Sequence, residues 1–463
     1  MKAAFHTLGC KVNQYETEAI ARAFRRAGYE IVDERQYADV YVVNTCTVTA
    51  MADRKSRQYI RRMKKVNPES VVAVTGCYAQ IKPEEVSAVD GVDIVAGTNE
   101  KGKLADYVAD YLRERQAGQA RKRLYIKGYE ELDVYEETGA VTSAENRTRA
   151  YIKIQEGCNR FCAYCVIPYA RGSVRSRELN SIVAEAEGLL AQGYKELVLT
   201  GINTALYGME KEPAGRCFAG GDEPSAAGRA DASGPFGVEQ VIAALNALPG
   251  DFRIRLSSLE PAVVSAGYVK GLLKYDKLCH HLHLSAQSGS DRVLKAMNRP
   301  YGRGRYLDIV RVLRAFDPDY GISTDLIVGF PGEREKDFED SCGLVEECAF
   351  CKTHIFKYSK RPFTKAAEME GQIPPQVKNR RSDRLHQIAE KTSRAFFAGC
   401  AGKRVRVLLE EPVAGEKLIT GYANNYTRVY LPWEDGENAA RLVNTFVEVT
   451  LKEPFKEGML AER

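Results

Sequence analysis

Three cysteines stand close together in the stretch GCNRFCAYCVIPYARG, residues 157–172. Cys158, Cys162 and Cys165 have the spacing CxxxCxxC, and no fourth cysteine is nearby in the sequence. Structural zinc takes four protein ligands, and disulfides need cysteines in pairs. Three thiolates on one short loop instead suit a [4Fe–4S] cluster that leaves one iron open to another ligand. Zinc is the alternative for this loop.

The elements that must position this loop are apolar strand patterns alternating with helical patterns. Six such strand patterns follow one another from residue 151 onward: YIKIQEGC, ELVLTGIN, RIRLSSLE, HLHLSAQSGS, STDLIVGFPGE and HIFKYSK. They predict a partial (β/α)6 barrel, in which site residues gather at the carboxyl ends of the strands. The cysteine loop directly follows the first strand, so we expect it at that end of the barrel.

Three further cysteines, Cys10, Cys46 and Cys77, each end an apolar strand pattern near the N-terminus. The patterns are AAFHTLGC, DVYVVNTC and VVAVTGC, and helical patterns follow them, which predicts a parallel α/β domain. Because the carboxyl ends of parallel strands share one edge of the sheet, these cysteines can converge into a second ligand set. The alternative is three unrelated buried thiols, since free cysteine is common in protein cores.

Length and composition limit the remaining possibilities. The 463-residue chain is long enough for about three domains. Its first residues do not resemble a signal peptide, and no run approaches the roughly 20 apolar residues that span a membrane. We therefore expect a cytosolic protein, in which twelve cysteines serve as metal ligands or plain thiols rather than disulfides. The net charge of +5 includes basic clusters at 51–65 and 376–410, which suit a polyanion or a solvated helix face.

Three other stretches indicate how the chain is divided. The segment 113–147 has the pattern of an interdomain linker, and 208–236, with Cys217, has the composition of a flexible insert. From residue 376, a basic helical pattern leads into the runs RVRVLLEE, KLITGYA, TRVYLP and TFVEVTL, which predict a small β-barrel similar to an oligonucleotide-binding fold. The stretch CHHLH at 279–283 offers possible zinc ligands, although strand histidines are more often packed or hydrogen-bonded.

The cysteine motifs together resemble a known family. The CxxxCxxC loop after a barrel strand resembles the radical S-adenosylmethionine (SAM) enzymes. GCKVNQYE at 9–16, NTC at 44–46 and GC at 76–77 resemble the N-terminal domain of the methylthiotransferases within that superfamily. The resemblance covers nearly the whole chain and implies an N-terminal methylthiotransferase domain at 1–115, a radical SAM domain at 144–374 and a linker helix with an RNA-binding TRAM domain at 376–463. The insert 208–236 departs from the family pattern.

This resemblance implies two [4Fe–4S] clusters, each with an open iron. Cys158, Cys162 and Cys165 would hold the cluster that binds SAM, and Cys10, Cys46 and Cys77 a second cluster for the sulfur to be transferred. It also implies SAM contacts at the ends of the barrel strands, at Tyr164, Thr200, Gly201, Asn203, Ser257, Ser258, Gln287, Ser288, Gly289, Asp325 and Gly329–Glu333. The run GFPGE is not a phosphate-binding loop, because it lacks the GKS/T ending.

Recognition of RNA would use the C-terminal domain. Unpaired bases stack on aromatic or arginine planes beside phosphate-binding basic residues. Candidates for this role are Lys403, Arg404, Arg406, Tyr426 and Arg428. Tyr422 and Tyr430 lie in the same strands, where tyrosines are as often core residues as stacking platforms.

Family members modify adenosine 37 of tRNA, bearing an isopentenyl or a threonylcarbamoyl group, or an aspartate of a ribosomal protein. The stretches GCKVNQYETE, VTGCYAQ, RFCAYCVIPYARG, LSSLEP and GYANNYTRV look closest to the threonylcarbamoyladenosine enzymes, and Lys11 stands where the ribosomal-protein branch typically has proline. The resemblance thus implies methylthiolation of C2 of threonylcarbamoyladenosine 37. SAM would be methyl donor and radical source, a flavodoxin or ferredoxin would supply electrons, and the sulfur source stays open. The alternatives are the isopentenyladenosine enzyme and a non-catalytic iron–sulfur RNA-binding protein.

Overall fold

A computed structural model describes residues 1–139, 148–210, 235–433 and 439–463 of the chain. Cys217 and most of the insert predicted at 208–236 lie outside these residues, as does the end of the predicted linker at 140–147. Within the described residues, no helix is both long enough and apolar enough to cross a membrane.

The N-terminal sheet contains six parallel strands in the order β2-β1-β3-β4-β5-β6. Apolar side chains on its two faces pack against helices in two separate cores. β6 lies beyond residue 115, in the stretch predicted as a linker. It was not predicted because a three-residue edge strand is too short to give a periodic pattern. The strands are β1 (Lys2–Thr7), β2 (Glu30–Val32), β3 (Val40–Thr45), β4 (Val71–Gly76), β5 (Ile94–Ala96) and β6 (Arg123–Tyr125). The helices are α1 (Lys11–Arg26), α2 (Ala50–Val66), α3 (Cys77–Ile81), α4 (Pro83–Ser87) and α5 (Leu104–Gln116).

The central domain is the expected partial barrel, and all six predicted strands are present. Its strands are β7 (Arg149–Glu156), β8 (Arg175–Ser176), β9 (Glu196–Gly201), β10 (Arg253–Leu256), β11 (His281–His283), β12 (Gly321–Val328) and β13 (Lys352–Lys357). They form two sheets, of order β10-β9-β7-β8 and β11-β12-β13. Two isolated parallel bridges, Ile254 with Leu278 and Leu259 with Leu284, connect the β10 side of one sheet to the β11 side of the other. Around them lie α6 (Ile167–Arg171), α7 (Leu179–Ala191), α8 (Val238–Asn246), α9 (Ala266–Leu272), α10 (Asp291–Ala296), α11 (Arg303–Phe316), α12 (Glu335–Cys348) and α13 (Lys365–Glu368).

The C-terminal part begins with a long helix and ends in a closed five-stranded barrel of order β14-β15-β16-β18-β17. The predicted fold class, a parallel α/β domain with a partial barrel and a small β-barrel, is therefore confirmed. The last strand was not predicted, because it follows its neighbour after a two-residue turn. The elements are α14 (Pro375–Gly399), β14 (Arg404–Pro412), β15 (Leu418–Ala423), β16 (Arg428–Pro432), α15 (Ala439–Leu442), β17 (Phe446–Phe455) and β18 (Gly458–Glu462).

Candidate active site

The N-terminal cysteines lie at the carboxyl ends of three adjacent strands. Cys10 directly precedes α1, Cys46 follows β3, and Cys77 begins α3 immediately after β4. Gly76 makes this approach possible, since its φ is +98° and a Cβ atom there would lie 2.4 Å from the carbonyl oxygen of Thr45. The sheet therefore brings the three cysteines to one edge, as the strand pattern predicted.

These three thiols differ in burial. Cys77 is buried, Cys46 is partly exposed and Cys10 is exposed. Burial, together with the neighbouring thiol of Cys77, raises the pKa of Cys46 to about 12. Burial also raises the pKa of Cys77, and Arg171 opposes that rise. Because ionising the thiols of Cys46 and Cys77 is unfavourable on its own, a bound cation that stabilises their thiolates fits the site.

Neither cysteine set is gathered as tightly as a single zinc ion would require. A tetrahedral zinc ion with Zn–S bonds of about 2.3 Å brings its sulfurs to within about 3.8 Å of one another. In the part of the chain that the structure describes, no three cysteine sulfurs lie within 4.8 Å of one another. Thiolates that bind three different irons of one cluster lie farther apart than thiolates that bind one zinc ion. A cluster therefore does not need the three sulfurs to approach so closely.

The loop between β7 and α6 carries Cys158, Cys162 and Cys165. Gly157 begins the loop with φ +71°, and a Cβ atom there would lie 1.7 Å from the carbonyl oxygen of Ser173. The backbone N–H of Cys158 donates to Gly172 at 3.0 Å, which closes the loop. Backbone N–H groups also donate to the sulfurs of Cys158 and Cys165. Such donors stabilise metal-bound thiolates, so this loop fits a cluster as well.

One cavity of about 190 Å³ reaches the loops of both cysteine sets. Val48 and Thr49, just after Cys46, form one side, while Tyr164 and Cys165 form another. The exposed wall is mainly apolar, a surface that excludes water around a bound molecule. The other lining residues are Val166, Ile167, Gln287, Asp325, Ile327, Phe356, Lys357, Tyr358 and Ser359.

The residues expected to contact SAM fall into two groups. Tyr164, Gln287 and Asp325 line the cavity. Ser288 and Gly289 lie against α12 instead, and the backbone N–H of Gly289 donates to the Ser341 hydroxyl at 2.9 Å. The others stabilise the ends of β9 and β10 or the loop after β12. At the end of β9, Thr200 is buried and Gly201 packs against Gln155. After β10, the Ser257 hydroxyl donates to the Leu199 carbonyl and the Ser258 carbonyl accepts from Thr204, while after β12 the N–H of Gly329 donates to Glu333.

A buried ion-pair cluster joins two of the expected SAM residues. Glu260 accepts hydrogen bonds from the side chains of Asn203 and Arg299. Arg299 also donates to the Tyr164 hydroxyl at 2.7 Å, and Arg160 lies 3.8 Å from Glu260. Sequence reasoning did not single out Glu260 or Arg299, although Glu260 belongs to the LSSLEP stretch that carried the resemblance.

Polar side chains from the neighbouring strands β11, β12 and β13 meet in the central domain, where His354 is exposed. His283 lies 3.2 Å from Asp325, and one ligand atom from each of His283, Asp325 and His354 lies within 4.8 Å of the other two. His281 is hydrogen-bonded to Ser323 at 3.1 Å, as expected for a packed strand histidine. The amine of Lys11, at the start of α1, is close enough to contribute to the lowered pKa of both His281 and His354.

Lys11 lacks an acidic partner in the described residues. The carboxylate of Glu196 acts on Lys11 but is already paired with Arg253 and Arg255. Burial, together with Arg255, lowers the pKa of Lys11 to about 8. An anionic group in this part of the barrel would relieve the excess positive charge.

The structure separates the candidate RNA-binding residues. Tyr426 lies between the barrels: Arg255 stacks 3.8 Å from its ring centre, and Arg149 donates to its hydroxyl at 3.2 Å. Ion pairs engage three others: Lys403 with Asp319, Arg406 with Asp251, and Arg428 with Glu457. Arg404 is exposed and has no acidic partner in the described residues.

Comparison with protein families gives two matches. Residues 2–97 match an uncharacterized protein family, UPF0004, and residues 152–345 match the radical SAM superfamily. The first match contains Cys10, Cys46 and Cys77, and the second contains Cys158, Cys162 and Cys165. Each cysteine set therefore belongs to a separate family region.

Several named relatives match nearly the whole chain. Threonylcarbamoyladenosine tRNA methylthiotransferase MtaB of Bacillus subtilis (strain 168) is 39% identical, over 98% of this chain and 95% of its own length. The protein of the same name from Thermotoga maritima is 34% identical, over 99% and 96%. The tRNA-2-methylthio-N(6)-dimethylallyladenosine synthase of Clostridium novyi is 35% identical, over 88% and 85%.

A solved structure has the same fold at low sequence identity. The radical SAM methyltransferase TsrM from Kitasatospora setae, with cobalamin and a [4Fe–4S] cluster bound, matches 79% of this chain and 77% of its own. The TM-score is 0.56 and the sequence identity 16%. This likeness supports the fold alone.

Proposed function

The chain belongs to the tRNA methylthiotransferases of the radical SAM superfamily, and we propose that it methylthiolates C2 of N6-threonylcarbamoyladenosine at position 37 of tRNA. The observation that carries this proposal is a cavity that the Cys158–Cys165 loop shares with the residues just after Cys46, since the reaction needs SAM and a sulfur source at the same carbon. Enzymes of this family use SAM and two [4Fe–4S] clusters.

We assign the two clusters to the two cysteine sets. Cys158, Cys162 and Cys165 would hold the SAM cluster, and Cys10, Cys46 and Cys77 the second cluster. The position of each set at the ends of strands and the backbone N–H donors to Cys158 and Cys165 support this assignment. When bound, SAM and its cluster would supply the radical that removes the C2 hydrogen. SAM would also supply the methyl group, and the second cluster would present the sulfur.

The protein's own residues position the reactants and exclude water. Arg299 holds the Tyr164 hydroxyl at the cavity wall and is itself held by Glu260. The backbone N–H of Asn203 is fixed by Gln155 at 2.8 Å, and its side chain is fixed by Glu260. Each side chain is therefore oriented before a ligand binds, which reduces the entropy lost on binding.

The charge inside the barrel favours threonylcarbamoyladenosine over the isopentenyl substrate. A threonylcarbamoyl group carries a carboxylate and a hydroxyl, whereas an isopentenyl group is neutral and apolar. Lys11, without an acidic partner in the described residues, and the histidines His283 and His354 offer a cation and hydrogen-bonding groups. A carboxylate can pair with these groups, but an isopentenyl group would leave the Lys11 charge uncompensated.

Reconstituted enzyme given two tRNAs tests this function. The purified protein, with SAM, a reductant and a sulfide source, should convert tRNA bearing threonylcarbamoyladenosine 37 to its 2-methylthio form, measured by nucleoside mass spectrometry. tRNA bearing isopentenyladenosine 37 is the matched control. Preferential modification of the isopentenyl tRNA would support the second family activity instead. Absence of both products despite SAM cleavage would contradict the tRNA assignment.

The proposed partners follow from this reaction. Transfer RNA is the substrate, and an electron donor such as a flavodoxin or ferredoxin would reduce the SAM cluster. We propose that the enzyme acts in the cytoplasm, together with its tRNA substrate. A deletion strain whose tRNA lacks only 2-methylthio-threonylcarbamoyladenosine would establish the same activity in the cell.

A further inference from the structure

A fully buried arginine connects the two cysteine sets. Arg171 ends α6, six positions after Cys165. Its Nε–H donates to the sulfur of Cys77 at 3.1 Å, and its side chain is 0% exposed. The loop that carries one cysteine set therefore provides a charged hydrogen-bond donor to the other.

The same guanidinium also reaches the loops of the other two N-terminal cysteines. Its Nη2 donates to Oδ1 of Asn13 at 2.6 Å. The Asn13 amide then donates to the carbonyl oxygens of Leu8 at 2.6 Å and Thr45 at 3.0 Å. Thr45 directly precedes Cys46, and Leu8 lies two residues before Cys10. Arg171 thus fixes all three cysteine loops through one side chain and one amide.

The ion pairs around Arg171 carry more positive than negative charge. Arg171, Lys101 and Lys153 share two carboxylates, those of Glu16 and Glu156. All five side chains are at most 6% exposed. A buried charge without a partner is strongly unfavourable, so this set requires an anion at its edge. Cys77 sulfur is at that edge and becomes anionic when it binds iron.

We propose that Arg171 is a positioning residue that raises the reduction potential of the cluster on Cys10, Cys46 and Cys77. A hydrogen bond to a ligand sulfur and a nearby positive charge both stabilise the reduced, more negative cluster. The proposal rests on the proposed ligand set but does not depend on which tRNA base is modified.

A redox titration of the isolated N-terminal cluster tests the proposal. Full-length protein with Cys158, Cys162 and Cys165 changed to alanine retains only that cluster. In this background, Arg171→Gln should lower the reduction equilibrium constant at least tenfold, which is 59 mV for one electron. Arg171→Lys should shift it less, because the charge is kept. The potential is read by electron paramagnetic resonance (EPR) during stepwise reduction, with iron content measured in parallel.

Arg177→Gln is the matched control. Arg177 is also buried and pairs with Glu137 and Glu185, and its hydrogen-bond partners in the described residues include no cysteine. We expect its substitution to leave the potential unchanged. An unchanged potential in Arg171→Gln, or an equal shift in both variants, would overturn the proposal. Absence of iron in the parent background would instead contradict the ligand assignment.

A second measurement on unsubstituted Arg171 keeps the test decisive if Arg171→Gln cannot hold a cluster. The same alanine background, labelled with 15N-arginine and reduced, should show a hyperfine coupling to one guanidinium nitrogen in pulsed EPR. A spectrum without any arginine nitrogen coupling would overturn the proposal.

Discussion

The two cysteine sets illustrate two ways of building a metal site. Cys158, Cys162 and Cys165 lie on one loop, which a glycine and a few backbone hydrogen bonds shape locally. Cys46 follows Cys10 by 36 positions and Cys77 follows Cys46 by 31, so the other set exists only once three strands have paired. The first site depends mainly on local conformation, and the second depends on the whole N-terminal sheet.

The largest effects should come from removing one set at a time. The reconstituted protein should hold about eight irons, from two four-iron clusters. Changing Cys158, Cys162 and Cys165 to alanine should halve the iron and abolish SAM cleavage. Changing Cys10, Cys46 and Cys77 should also halve the iron but leave SAM cleavage to 5′-deoxyadenosine. Loss of all iron in the second variant, with circular dichroism unchanged, would show that the two sites are not independent.

Glycine-to-alanine changes should remove one cluster at a time without changing any cysteine. Gly157→Ala and Gly76→Ala each add a Cβ atom that meets backbone, in a left-handed conformation that alone costs about 1–3 kcal/mol. We expect Gly157→Ala to lose the SAM cluster and Gly76→Ala to lose the other. Iron analysis and thermal unfolding measure these effects.

Two other glycines provide the controls for these variants. Gly28 and Gly193 also have positive φ, but a Cβ atom at either has no neighbour within 4 Å. Gly28→Ala and Gly193→Ala should therefore reduce the melting temperature without removing either cluster. Iron loss in these controls would mean that general instability, rather than loop geometry, empties the sites.

The residue after the first N-terminal cysteine should affect substrate choice rather than cluster binding. Lys11→Gln removes the cation proposed to pair with the threonylcarbamoyl carboxylate, a contact worth about 1.5–3 kcal/mol. We therefore expect kcat/KM for threonylcarbamoyladenosine tRNA to fall about tenfold or more. Iron content should stay at the parental level, and Lys11→Arg should restore part of the activity. An equal loss with isopentenyladenosine tRNA would contradict this role.

The smallest effect should come from a residue distant from both cysteine sets. Arg404→Ala removes an exposed arginine of the C-terminal barrel, so we expect tRNA binding to weaken a few-fold. The slope of log affinity against log salt should become shallower by about 1. Arg428, already paired with Glu457, is the comparison and should matter less when changed to alanine. Identical salt slopes for Arg404→Ala and the parent would exclude a phosphate contact.

In the N-terminal sheet, the predicted strands are β1, β3 and β4, which have six residues each. β3 and β4 are buried along their whole length, so their sequences are continuous apolar runs that indicate strands without further context. β2, β5 and β6 have three residues each, which is too short for any periodic pattern. In this sheet, sequence reasoning could therefore find the three longer central strands but not the three short strands around them.

The residues of the candidate site also divide into those that could be predicted from the sequence and those that could not. The cysteines could be identified because thiol spacing and strand ends are local features of the sequence. Glu260, Arg299 and Arg171 could not, because their roles arise from partners such as Tyr164 and Cys77 that are distant in the chain. Ion-pair partners depend on tertiary packing, and no spacing rule connects them. For the same reason, the packing of Tyr426 against Arg255 could not be found from the sequence.

The hairpin that carries Tyr426 also limits how this protein can be recombined with its relatives. Asn425 approaches so closely that a Cβ atom on Gly321 would lie 2.0 Å from its carbonyl oxygen, and Arg253 donates to the Tyr422 carbonyl at 2.9 Å. A chimera that takes its C-terminal barrel from another protein must therefore also inherit a glycine at 321 and arginines matched to the new hairpin. The C-terminal barrel is not an interchangeable module, and its joint with the central domain must be transplanted with it.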